Sequence, residues 1–300
     1  MKNDIVLLTD FGLSTGYVGA MYGVIHSVDR ELSVFDLTHE VRPFDVRQAS
    51  DLLASTCRFW PQGTVFVSVV DPGVGTARKA SVCRLRSGSF IVTPDNGTLT
   101  GMRDEILEIR EIDESINRRP GSENESTFHG RDIFAYCAAR LASGIIRFEE
   151  VGEEYGTGEI VTIERAVPEV GTGMVRCVIG GAESNFGGIS LELTSEEFSR
   201  SGMGYGDMTR VRITGPDGQT AYDGRILCAP SFGFVGDGEP VLYHGSTGPY
   251  MFISLNRRSF AHTYLPGLFV PGARFGEYEV TITRAENAGE SGITAGGGQE

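Results

Sequence analysis

Asp71 ends the apolar run of residues 64–70 and opens the segment Asp71-Pro72-Gly73-Val74-Gly75-Thr76-Ala77-Arg78, so a carboxylate leaves a buried strand and a guanidinium follows seven residues later. Open α/β sheets place their chemistry at such points, where an apolar strand stops at a polar group and a loop rich in Gly and Pro follows. Asp-Pro-Gly is also ordinary turn chemistry, with Pro presetting φ and Gly supplying the left-handed residue. Taken alone, the segment leaves turn and site both open. Asp10 follows the apolar run 5–8, Asn96 follows the run 90–93, and His129 precedes the helical pattern Ile133, Phe134, Cys137, Ala138, Leu141. An acid, an amide, an imidazole and a guanidinium are groups that orient a polar ligand or exchange protons with it. Each has a local explanation, Asp10 as a turn cap and His129 as a side chain satisfied by backbone. The carboxyl ends of parallel strands share one edge of a sheet, so these groups can converge, and the local explanations must otherwise all hold at once.

Several other chemistries lack their signatures. No GxxxxGK[ST] occurs, no GxGxxG lies in the first strand-helix unit, and Ser190 is not in a GxSxG elbow. His39-Glu40 lacks the second histidine of a zinc helix, so no metal is expected. Cys57, Cys83, Cys137, Cys177 and Cys228 are odd in number and far apart, which reads as buried thiols of a cytoplasmic protein. With 26 basic against 40 acidic residues the net charge is −14, and no basic cluster tracks a phosphate backbone, so nucleic acid is not an expected partner. The acidic field mildly favours a cationic small ligand, although solubility is the better account of the charge. No apolar segment is long enough to span a bilayer, and the N-terminus does not read as a signal peptide.

The elements that must position these groups alternate. Residues 5–8 are a first strand; Val18, Met21, Tyr22, Ile25 and Val28 follow at helical spacing, and residues 32–37 are a second strand. Asp45 is placed to cap a helix burying Val46, Ala49, Leu52, Leu53 and Thr56. Residues 64–70 and 90–93 supply further strands, which makes a βαβ series with a mainly parallel sheet over residues 1–165. After residue 161 helical periodicity nearly disappears, and short β-rich runs separated by Gly, Asp and Pro predict a mostly antiparallel, barrel-like β domain over 166–285. Residues 286–300 are poor in apolar groups and read as a disordered tail.

Thr9-Asp10-Phe11-Gly12, Asp36-Leu37-Thr38-His39-Glu40-Val41, the Asp71–Arg78 segment, Thr93-Pro94-Asp95-Asn96-Gly97 and Phe128-His129-Gly130-Arg131-Asp132 together resemble the S-adenosyl-L-methionine (SAM) hydroxide adenosyltransferase family, the SAM hydrolases, siblings of the SAM-dependent fluorinase and chlorinase. The resemblance covers roughly residues 4–145 in order and spacing, and five motifs are far more specific than one. It implies that SAM and water give adenosine and L-methionine without a cofactor. It also implies a homotrimer with active sites between the first domain of one subunit and the β domain of the next. The family's Asp, Arg and His that serve the attacking water fall on Asp71, Arg78 and His129. Asp71 would orient the water or accept its proton, and a role mainly toward ribose stays open. Asp10 would accept the ribose hydroxyls, and Phe44 would pack on the sugar. The halogenating siblings carry Tyr in place of Asp71 and lack Arg78, which favours hydrolysis over halogenation.

In the second half the resemblance assigns substrate contacts to Asn185, Phe232, Asn256 and Arg257, with Phe232 stacking on adenine. Here Gly180-Gly181-Ala182-Glu183-Ser184-Asn185-Phe186 departs from the family's Asp-x-Phe-Gly-Asn segment: the acid is missing or has moved to Glu183, and Phe252 stands where a Glu is usual. A SAM-dependent halogenase and a non-catalytic adenosine or SAM binder are the alternative readings.

Overall fold

Two kinds of apolar patterning give two kinds of sheet in this computed structural model, which describes residues 2–246, 248–270 and 272–285. The tail expected to be disordered, 286–300, lies outside the described residues. The chain divides into two units, Met1–Glu164 and Arg165–Glu300.

The first unit contains β1 (Ile5–Thr9), β2 (Val34–Thr38), β3 (Val65–Val69), β4 (Ala80–Leu85), β5 (Phe90–Pro94), β6 (Ile106–Glu111) and β7 (Glu154–Tyr155), in the order β2-β1-β3-β5-β4-β6-β7. Its helices are α1 (Tyr17–Val28), α2 (Val46–Thr56), α3 (Glu114–Asn117) and α4 (Tyr136–Ala142). Every position of β1 and β3 is buried, as strands are when helices cover both faces of a sheet. Ile5, Leu7, Val65, Val67 and Val69 pack with Met21 and Ile25 of α1 and with Ala138 of α4. Val6, Leu8, Phe66 and Val70 pack on the other face with Ala49 and Leu53 of α2. Asp45 caps α2 as expected, its Oδ1 accepting from Gln48 N at 2.9 Å.

The expected parallel character holds across β2, β1, β3 and β5. Three antiparallel pairings then extend the sheet through β4, β6 and β7. β4 and β6 escaped the sequence reading because charged residues interrupt them, Arg84 in the first and Glu108 and Arg110 in the second.

The second unit contains β8 (Glu169–Gly171), β9 (Met174–Ala182), β10 (Ile189–Thr194), β11 (Met208–Thr214), β12 (Thr220–Cys228), β13 (Pro240–His244), β14 (Tyr250–Leu255) and β15 (Glu279–Arg284), with the short helices α5 (Ser195–Arg200) and α6 (Phe260–Tyr264). The order β10-β14-β13-β12-β11-β15-β9-β8 closes through a further β10–β9 pairing, which removes the edges an open sheet would expose. All its ladders are antiparallel except β12–β13. Val211 and Ile213 alternate with more exposed neighbours on β11, and pack with Val175, Leu191, Ile253 and Val280 in a single core.

Candidate active site

Asp10 follows β1, Asp71 stands two residues beyond β3, and the order β1-β3 makes those strand ends neighbours. Asp10, Phe44, Asp71, Val74, Phe128 and His129 are among the residues lining a cavity of about 540 Å³ in the first unit.

The segment after β3 folds as two successive turns, Val74 N donating to Asp71 O (3.2 Å) and Thr76 N to Gly73 O (3.1 Å). Gly75 has φ +76°, and a Cβ there would meet Ser126 O at 3.0 Å, so both conformation and contact require glycine. The turns bring Arg78 back to Asp71. Its Nε lies 3.1 Å from both carboxylate oxygens and its Nη2 is 2.5 Å from Oδ2. The same Nη2 is 2.9 Å from His129 Nδ1. Both ion-pair side chains are nearly buried, at 9% and 5% exposure for Arg78 and Asp71, and the guanidinium lies 5.2 Å from the Phe134 ring centroid. Arg78 is not on the cavity wall. It stands behind Asp71 and His129 and fixes both.

A guanidinium only donates, so Nδ1 of His129 is an acceptor and the ring proton sits on Nε2. Burial, and then the Arg78 charge, hold the His129 pKa below 6.5. A histidine whose folded value is lowered binds fewer protons folded than unfolded in the window just below 6.5, so stability rises with pH through that window and falls as pH drops. Urea midpoints compared between about pH 7 and pH 5 should therefore fall more steeply for the natural chain than for His129→Asn. Parallel curves would show that His129 takes up its proton alike in the folded and the unfolded chain.

His129 precedes a π-helical stretch, Gly130–Ala135, that runs into α4; such stretches recur at functional sites. Asp132 anchors it from a fully buried position, accepting from Arg119 Nε (2.7 Å) and Arg131 Nε (2.8 Å). Burial opposes the charge of Asp132, but these arginines hold its carboxyl below the ordinary value. A Cβ at Gly130 would lie 3.3 Å from Phe11, Phe128 and Val69.

Across the cavity, Asp10 Oδ2 accepts from Phe44 N at 2.8 Å. Phe44 has φ +68° and is 70% exposed, a conformation rare for an aromatic residue and one that persists where surroundings impose it. Burial, with a smaller contribution from the Asp71 charge, raises the Asp10 pKa, and the Phe44 N–H opposes this.

Asn96 does not share this role. Its Nδ2 donates to Val70 O (2.9 Å) and its Oδ1 accepts from Thr98 Oγ1 (2.8 Å), so the amide staples the end of β3 and does not line the cavity.

In the second unit Asn185 is exposed on the turn between β9 and β10. Phe232 is exposed, its ring 5.1 Å from that of Tyr243, which lies 5.8 Å from Phe252. Asn256 Nδ2 is engaged with Val235 O at 2.9 Å, and Arg257 adopts φ +59° in the turn after β14. A Cβ at Gly188 would meet Ser254 Oγ at 2.5 Å and Glu183 Oε2 at 2.8 Å, so Glu183 and Ser254 flank one glycine, and Ser254 contacts Tyr243 Oη at 3.1 Å. Burial raises the Glu183 pKa. Tyr243 and Ser254 had no sequence signal, since their closeness to Glu183 comes from barrel register.

Comparison with known proteins gives a consistent picture. The family model of the SAM hydroxide adenosyltransferase N-terminal domain matches residues 5–152. The (R)-S-adenosyl-L-methionine hydrolase of Thermus thermophilus is 33% identical over 264 residues, covering 85% of this chain and 92% of that protein. The fluorinase of an Actinoplanes species is 27% identical over 284 residues, covering 87% and 93%. The crystal structure of an uncharacterized conserved protein from Thermotoga maritima superposes with a TM-score of 0.79 at 32% identity, over 93% of this chain and all of that one.

Proposed function

This chain belongs to the SAM hydroxide adenosyltransferase family, and from that premise we propose that it hydrolyses S-adenosyl-L-methionine to adenosine and L-methionine. The observation that carries the reading is the Arg78 fork, which fixes a carboxylate and a neutral imidazole side by side at one cavity wall.

In the reaction a water oxygen forms a bond to ribose C5′ while the C5′–S bond breaks with its electron pair going to sulfur. The sulfonium leaves as a neutral thioether, so no acid is needed at the leaving group and no metal or redox cofactor is called for. The water must be held in line with the C–S bond and must lose a proton. Asp71 is an acceptor and the Nε2–H of His129 a donor. One of each orients a water and leaves a lone pair for carbon. Arg78 acts through these two groups and does not touch the water. Asp10 retains lone pairs on both oxygens beyond the Phe44 contact and accepts the ribose hydroxyls, while the Phe44 ring covers the sugar.

Asn185, Phe232, Asn256 and Arg257 form the proposed adenine and methionine contacts. Their assembly with the first-unit residues rests on a homotrimer, in which the barrel of one subunit closes the cavity of the next. The exposure of Leu13, Tyr17 and Phe44, at 68%, 52% and 70%, supports a covering partner. Five buried free thiols support a reducing compartment such as the cytoplasm, and no helix among the described residues is long and apolar enough to cross a membrane.

The resemblance to the fluorinase keeps halogenation as the second reading. A halide in the water's place would face the Asp71 carboxylate, and like charges at contact distance in a desolvated site repel strongly. Incubation with SAM, with and without chloride or fluoride, should give equal amounts of adenosine and methionine and no halogenated nucleoside by chromatography. Halogenated adenosine would favour the second reading, and bound SAM without turnover would leave only a binding protein.

A further inference from the structure

Thr9 and His39 lie behind Asp10 and are buried, at 0% and 3% exposure. His39 Nε2 is 2.8 Å from Asp36 Oδ1, and His39 Nδ1 is 2.8 Å from Thr9 Oγ1. Asp36 also accepts from Tyr22 Oη at 2.5 Å. On the other side, Phe11 N donates to Thr9 Oγ1 at 3.2 Å. The Asp36 carboxylate only accepts, so Nε2 of His39 carries hydrogen; where the ring holds that one proton, Nδ1 accepts from the Thr9 hydroxyl, whose oxygen in turn accepts from Phe11 N–H. The result is one oriented chain from the Phe11 amide through Thr9 and His39 to Asp36.

The backbone laces the same two segments together. Gly12 N donates to His39 O at 2.8 Å and Val41 N to Thr9 O at 3.4 Å. Five residues after His39, Phe44 N reaches Asp10 Oδ2. Asp10 lies between two residues of the chain, Thr9 and Phe11, and Phe44 ends the loop that His39 begins. His39 is not among the residues lining the cavity.

We propose that His39, through Thr9, is a positioning residue for the ribose subsite, setting the loop geometry that presents the Asp10 carboxylate and the Phe44 ring to the sugar. The inference rests on the proposed nucleoside-binding reading of Asp10. Ribose contacts are made in ground state and transition state alike, so a misplaced Asp10 weakens binding and leaves the C5′ chemistry intact.

Thr9→Val removes the hydroxyl at nearly constant volume, His39→Leu removes both ring nitrogens, and His39→Gln restores one acceptor and one donor at similar separation. Thr9→Val and His39→Leu are expected to raise KM for SAM and Kd for adenosine about tenfold with kcat within about twofold. His39→Gln should stay within about threefold of the natural chain. A purely structural role would lower Tm and kcat, through the active fraction, without moving KM. Unchanged KM and Kd in Thr9→Val, or His39→Gln as impaired as His39→Leu, would overturn the proposal. Adenosine Kd, measured by calorimetry, needs no turnover: a natural chain that binds adenosine but forms none from SAM rejects hydrolysis, while the Kd series still decides the role of His39.

Discussion

Asp71→Asn is expected to lower kcat for adenosine formation about 10²–10⁴-fold, with the chain folded and adenosine Kd nearly unchanged. The amide can keep its oxygen at the Oδ2 position, where Arg78 Nη2 donates, and turn its nitrogen to the position of Oδ1, whose contact with Nε is 3.1 Å. The Arg78 interaction is weakened and survives. The cavity side then carries a donor in place of an acceptor, so a water that formerly gave a hydrogen to Asp71 finds none of the needed polarity. That change affects the nucleophile and not the nucleoside, which is why the loss falls on kcat. The measurement is steady-state turnover by chromatography alongside calorimetric binding of adenosine. An unchanged kcat would show that Asp71 neither orients the water nor takes its proton, and a rise confined to KM would move Asp71 to the ribose, the role that sequence reading left open.

The convergence of Asp10 and Asp71 on one cavity was legible because it follows from topology: parallel strand ends share an edge, whatever separates them in sequence, whereas His129 enters from the start of a helical stretch, which that rule does not place. Asn96 satisfied the same rule and has another task, since its partner is a backbone carbonyl 26 residues earlier, and no residue pattern records which acceptor an amide will find. The parallel half of the first sheet was readable from continuous apolar runs. β4 and β6 were not, because antiparallel strands at the flank of a sheet tolerate charges such as Arg84, Glu108 and Arg110: Arg84 pairs with Glu108 across the ladder, and Arg110 pairs with Glu108 along β6. The left-handed backbone of Phe44 had no signal either. It depends on a contact with Asp10 across 34 residues, and local propensity alone argues against it. The place of Arg78 behind its partners likewise has no sequence signal, since seven residues of Gly-rich turn are compatible with a guanidinium on the cavity wall or beneath it.

That hidden place makes Arg78 the residue whose loss should do the most combined damage to stability and catalysis. Arg78→Ala leaves the Asp71 carboxylate, 5% exposed, without its counterion and the Nδ1 of His129 without a donor. Breaking a buried pair by removing one partner typically costs about 3–5 kcal/mol, so Tm should fall by roughly 6–20 °C for a unit of this size. Turnover should fall at least as far as in Asp71→Asn, because both groups that hold the water lose their orientation together. Arg78→Lys separates charge from geometry. An ammonium neutralises the carboxylate as a point charge, yet it lacks the planar fork that reaches both Asp71 oxygens and His129 at once. Lysine should therefore recover most of the lost Tm and little of the lost kcat, measured by thermal unfolding and steady-state turnover on the same preparations. Full recovery of both would reduce the role of Arg78 to its charge. Recovery of neither would mean that the cost lies in repacking against Phe134, whose ring the guanidinium covers, and not in the two groups it holds.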